Sequence, residues 1–189
     1  MSHFELVVTL VTIVYGLMLT DLFGSLHKLI RAKDVVQWHW LPLLAAWYIL
    51  LIILKNWWAI SYSQEAEHWK NFLIFIGYGH LLVLLYLLVS AVFPDSIPDE
   101  GISLKQYYFS NHRYFWGLMC AAFSLAFIIS IAGKSLAGEQ MYPVSVLSKI
   151  AFIALTMVLA VSKNYRVHAI LLVFFVLEII VETALSVLG

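Results

Sequence analysis

The chain predicts an all-α integral membrane protein, a six-transmembrane-helix bundle that forms one polytopic domain over residues 1–189. Three observations carry that expectation. Apolar residues make up 63% of the chain and charged residues 12%, roughly half the charge of a soluble domain. The mean hydropathy is +0.92, and apolar stretches near the ~20 residues that cross a bilayer recur from end to end. None of these stretches shows the dyad alternation of barrel strands, so the spans are read as helices.

In chain order the spans fall at roughly 5–25, 38–60, 71–93, 114–133, 143–163 and 166–188. The stretch before the first, Met1 to Glu5, lacks the basic start of a cleavable signal peptide, so that span is expected to be retained. The second is bracketed by Trp38 and Trp40 at its start and by Trp57 and Trp58 at its end, an interfacial aromatic pattern. The third is uncharged from Asn71 to Pro94, where proline stops the helix. Within it, Gly77-Tyr78-Gly79 reads as a packing or bending feature, since no strand precedes it to make a nucleotide motif. The longest connection, 95–113, holds Pro98, Gly101 and the acids Asp95, Asp99 and Glu100, with room for a short interfacial helix. The fourth span is uncharged from Tyr114 to Gly133, and Tyr142-Pro143 opens the fifth, where proline is tolerated. No repeat relates the first three spans to the last three.

Basic residues are unevenly distributed. Lys28, Arg31, Lys33, Lys105, Arg113, Lys163 and Arg166 lie in or beside the first, third and fifth loops. Lys70, Lys134, Lys55 and Lys149 lie toward the other side. The positive-inside rule then puts the odd loops in the cytoplasm and both termini on the non-cytoplasmic side of a cell (inner) membrane.

The sixth span carries the strongest functional signal. Glu178 and Glu182 are four residues apart, on one helical face, in a run from Val167 to Gly189 with no other charge. Counted from Arg166, Glu178 is ~18 Å into the membrane and Glu182 ~6 Å further. Carboxylates at such depth are costly and mark function by default. Lys55, Lys149 and His80 share that half of the bilayer, so the expected ion or proton pathway is Glu178, Glu182, Lys55, His80 and Lys149. The lysines also have stems long enough to snorkel to the headgroups.

Other polar positions fall at helical spacing. In the first span Glu5, Thr9, Thr12, Gly16, Thr20 and Gly24 share a stripe, and Gly16, Thr20 and Gly24 form a small-residue packing pattern. In the fifth span Ser145, Lys149, Thr156 and Lys163 align. In the sixth Asn164, His168, Glu178, Glu182 and Ser186 do so. These stripes suggest a common polar interior for spans one, five and six. At the cytoplasmic edge His27, His39, His112 and His168, with Asp21, offer metal-ligand chemistry, although no pair has the spacing that fixes two ligands on one helix.

Some classes are disfavoured. The single cysteine, Cys120, leaves no intrachain disulfide or CxxC pair. Zero net charge gives nucleic acid no electrostatic footprint. No familiar catalytic motif occurs, which weighs against an enzyme, and no cofactor is implied. The leading expectation is a small ion- or proton-conducting channel or transporter. The alternatives are a non-catalytic membrane subunit, sensor or effector working through helix contacts, and a membrane enzyme acting on lipid or quinone through the histidine edge. The expected partners are the lipid bilayer and either a homo-oligomer or another membrane protein.

Overall fold

The computed structural model describes residues 3–62 and 71–188. Six helices account for nearly all of them: α1 (His3–Arg31), α2 (Trp40–Tyr62), α3 (Phe72–Val92), α4 (Leu104–Leu136), α5 (Pro143–Val161) and α6 (Tyr165–Leu188). All six are long and apolar enough to cross a membrane, as a multi-pass membrane protein requires. Lys70 lies outside the described residues, as does the side chain of Ser186.

Local chemistry sets the helix ends. Asn71 caps α3, its Oδ1 accepting from the Leu73 and Ile74 amides, and Asn164 accepts from the Arg166 amide at the start of α6. Both satisfy amide donors that the first turn leaves open. Pro143 occupies the start of α5, where its missing N–H costs nothing. Gly138, with φ of 68°, follows the end of α4 in the left-handed conformation that glycine adopts freely.

Neighbouring helices form a ring in the order α1, α3, α4, α5, α6, α2, and α2 also touches α3 and α4. α2 is the most enclosed, with Leu41, Ala45, Tyr48, Ile49, Ile52 and Ile53 all buried. Its span is 39% buried against 11% for α5, which makes α2 the core helix and α5 the peripheral one. At Gly77 α3 packs tightly on α4: an added Cβ would lie 3.0 Å from the Ile129 side chain. Lipid gives helices no hydrophobic reason to associate, so small residues at such contacts matter for packing.

Two expectations about element boundaries are corrected. α1 continues past residue 25 to Arg31, because Lys28 and Arg31 suit the negative end of a helix. α4 begins at Leu104, well before residue 114. Leu104, Tyr108, His112, Phe115 and Trp116 recur at helical spacing and are all buried, so the segment read as a connection is an amphipathic start of the helix. The common interior of spans one, five and six is also corrected: α1 packs mainly on α2 and α3, and α5 mainly on α4.

The first and third connections are joined by a small parallel pairing. β1 (Val36–Gln37) lies beside β2 (Ile102–Ser103), with Val36 opposite Ile102. Just before β2, Gly101 takes a φ of 90° and presses against the Val35 carbonyl, which accepts from the Ile102 amide at 3.0 Å. Any side chain at residue 101 would meet that carbonyl and also force an unfavourable dihedral. Gly101→Ala is therefore expected to cost about 1–3 kcal/mol or more, read as a lower midpoint in thermal melts of detergent-solubilised protein.

Candidate functional site

Polar chemistry gathers at the two ends of the bundle. At the end carrying the second and fourth connections, the Lys55 ammonium of α2 forms an ion pair with Glu182 of α6. The side chains are 40% and 56% exposed on the helix surface, so the pair does not sit in the protein interior. Glu178, one turn earlier on α6, is half-buried and within electrostatic reach of both. It makes no hydrogen bond or ion pair of its own among the described residues.

The structure thus groups three of the five residues expected in a pathway. His80 is exposed on α3, its Nδ1–H donating to the Ile76 carbonyl at 2.8 Å. Lys149 on α5 donates to Ser130 of α4 at 2.9 Å and lies 5.8 Å from the Phe127 ring centre. Neither contacts the Lys55–Glu182 pair. The small-residue stripe of α1 is also at the surface. A Cβ added at Gly16 or Gly24 would meet nothing, and Thr20 donates to the Gly16 carbonyl of its own helix. Above this stripe Trp57 of α2 donates to Thr12, so the exposed polar faces of α1 and α2 adjoin.

At the opposite end lies a buried network that the sequence only hinted at. His168 of α6 is fully buried, and its Nε2 lies 2.8 Å from the Ser162 carbonyl at the end of α5. A carbonyl only accepts, so Nε2 carries the proton and Nδ1 the lone pair. The Tyr108 hydroxyl therefore donates to Nδ1 at 2.9 Å, while its oxygen accepts from Trp116 Nε1 at 3.0 Å. One directed chain, Trp116 to Tyr108 to His168 to Ser162, fixes α4, α5 and α6 to one another. Beside it His112 is 2% exposed, with Nδ1–H donating to the Phe109 carbonyl at 2.6 Å. Its Nε2 is left as a buried acceptor without a partner.

The four edge histidines do not converge. His112 and His168 sit edge to face with ring centres 5.7 Å apart. His27 is exposed on α1. His39 caps the start of α2 by accepting from the Leu41 amide at Nδ1. Asp21 accepts from Ser90 of α3 at 2.7 Å, away from the imidazoles. Among the described residues no group of three His, Cys, Asp or Glu side chains could hold a metal ion.

A third cluster is exposed beside His39. Trp40 Nε1 donates to the Tyr165 hydroxyl at 3.0 Å, and the His39 ring meets the Tyr165 ring edge-on at 5.9 Å. Lys105 of α4 lies 5.3 Å from the centre of the Tyr165 ring. Burial, and then the Lys105 charge, hold His39 below the usual histidine range, in keeping with Nδ1 serving as an acceptor.

Sequence reading missed Tyr108, Trp116 and Ser162. The available signal was the spacing of Tyr108, His112 and Trp116, four residues apart on one helical face. Tyr108→Phe removes one oxygen but strands two buried groups, Trp116 Nε1 and His168 Nδ1. The expected loss is about 1–3 kcal/mol for each stranded group, measured by thermal or denaturant unfolding, whereas His80→Ala on the exposed face of α3 leaves the midpoint nearly unchanged.

No protein-family model, curated protein or solved structure matches the chain.

Proposed function

We propose that this chain is an integral-membrane subunit that works by contact with other transmembrane helices, its contact surface being the face shared by α1, α2 and α6. The observation that supports this reading most is the exposed Lys55–Glu182 pair with Glu178 beside it, on helices that are otherwise apolar. An ionisable group facing hydrocarbon costs about 2.5–3.5 kcal/mol near a helix centre and less toward its ends. A covering helix that supplies polar atoms removes that cost. The face offers both a cation and carboxylates, so a second copy of the chain can complement it in a closed, two-fold arrangement. In this reading the odd connections face the cytoplasm and both termini the other side of the cell (inner) membrane, following the bias of basic residues.

The test is subunit counting by photobleaching in nanodiscs made from native lipid. More than one copy per disc is expected, with a shift to single copies in the Lys55→Gln/Glu182→Gln double variant. Single copies of the wild-type chain, together with no co-purifying membrane protein, would reject the reading.

One observation favours a second reading, in which the same seam carries ions or protons. Glu178 is half-buried and, among the described residues, without a hydrogen bond or ion pair of its own. A carboxylate in that state is available to bind and release a cation. Reconstituted wild-type protein should then show proton or cation flux that Glu178→Gln reduces at least about tenfold, the equivalent of ~1.4 kcal/mol. Equal flux from the folded variant removes Glu178 from any pathway. The enzyme reading gains no support, because Asp21 and the histidines are engaged separately.

A further inference from the structure

Lys105 is a solvent-exposed cation held against an aromatic ring, and no carboxylate among the described residues pairs with it. The ring beneath it belongs to Tyr165, which is itself fixed by the Trp40 indole. Arg166 follows Tyr165 in the first turn of α6, is exposed, and is likewise unpaired among the described residues. Trp38, Trp40 and Tyr165 are 42%, 41% and 38% exposed, which places an aromatic girdle at the height where the apolar spans end. Lys105 therefore stands at headgroup level over a ring fixed by the Trp40 hydrogen bond, with exposed Arg166 next in the chain to that ring.

We propose that the patch formed by Trp40, Lys105, Tyr165 and Arg166 binds the phosphate of an anionic phospholipid headgroup. The Lys105 ammonium and the Arg166 guanidinium donate to the phosphate oxygens, in the charge-assisted geometry that favours phosphate. The indole and phenol rings lie against the glycerol and upper acyl region, where amphipathic rings are at home. An anionic lipid is preferred to a zwitterionic one because choline brings its own cation, which competes with Lys105. The helices α2, α4 and α6 all begin at this end, and their positive dipole ends add to the attraction. The same local positive charge acts on His39, whose protonated form Lys105 disfavours. This binding site is independent of the α1/α2/α6 contact face at the other end of the bundle.

The experiment is a thermal melt of the full chain in maltoside detergent, titrated separately with phosphatidylglycerol, phosphatidylcholine and inorganic phosphate. Phosphatidylglycerol should raise the melting temperature with saturation, and the other two should not. The half-saturating concentration should rise about fivefold for each cation removed in Lys105→Gln and Arg166→Gln. Lys134→Gln, which removes one charge at the far end of α4, should leave it unchanged. Equal stabilisation by phosphatidylcholine, an unaltered response in both single variants, or the same weakening in Lys134→Gln would overturn the proposal. Stabilisation by inorganic phosphate equal to that by phosphatidylglycerol would also overturn it, by showing a free-anion site in place of a lipid site.

Discussion

The hydrogen bond between Tyr108 and His168 is the constraint on which one end of this bundle depends. α6 makes its main contact with α2, and further along it Phe174 and Phe175 pack on Phe152 of α5 and Trp116 of α4, so its first turn needs a separate tie to that side of the ring. The polar chain through Trp116, Tyr108, His168 and the Ser162 carbonyl supplies that tie. Each member uses its donor and acceptor in the one direction the carbonyl permits. In a medium without water an unsatisfied donor or acceptor costs several kilocalories, so such a chain is directional glue. His112, next to it, shows the contrast: its unpartnered Nε2 is a cost that the surrounding packing of Phe109, Phe115 and Trp116 must offset.

α6 is polar near both ends and dry between them. His168 lies in its first turn and Glu178 ten residues on, a separation of ~15 Å along the axis. Leu172, Phe175 and Val176 fill the gap and are buried, with Phe175 packed against Tyr48, Trp116 and Phe152. Inside one copy that layer of packed rings separates the two polar ends of α6, with the Tyr48 hydroxyl among them. On the outer flank Lys55, Glu178 and Glu182 gather at one end, and exposed Ile170, Val173, Phe174 and Leu177 cover α6 from there toward His168.

The six spans were legible because lipid imposes a length and a composition that a sequence displays directly. Their limits were less so. The start of α4 was hidden because Lys105, Gln106 and Arg113 interrupt the apolar run, although Leu104, Tyr108 and His112 mark the buried face. The one-face placement of Glu178 and Glu182 follows from helical period alone. Which helix that face meets does not, because period is silent about neighbours: Lys55 is at hand, while His80 and Lys149 answer to other partners. The glycines show the same gap. Gly16 and Gly24 carry the recognisable pattern, yet a Cβ added at either would meet nothing among the described residues, while one at Gly77, in a less regular context, would press on Ile129 of the next helix.

The two ends differ in how they are held, and this bears on what each can do. At the odd-connection end, the β1–β2 pairing and the constrained Gly101 join the first and third connections, and the buried network locks α4, α5 and α6 together. A surface fixed in this way suits recognition of a small rigid group, because little ordering entropy is spent on binding. At the other end Lys55–Glu182, Trp57–Thr12 and Lys149–Ser130 join helices in pairs. Side chains held by one exchangeable partner can trade it for an equivalent group on another helix at small net cost. The locked end thus has the character of a platform, and in the contact reading proposed above the Lys55–Glu182 seam is a face completed by association.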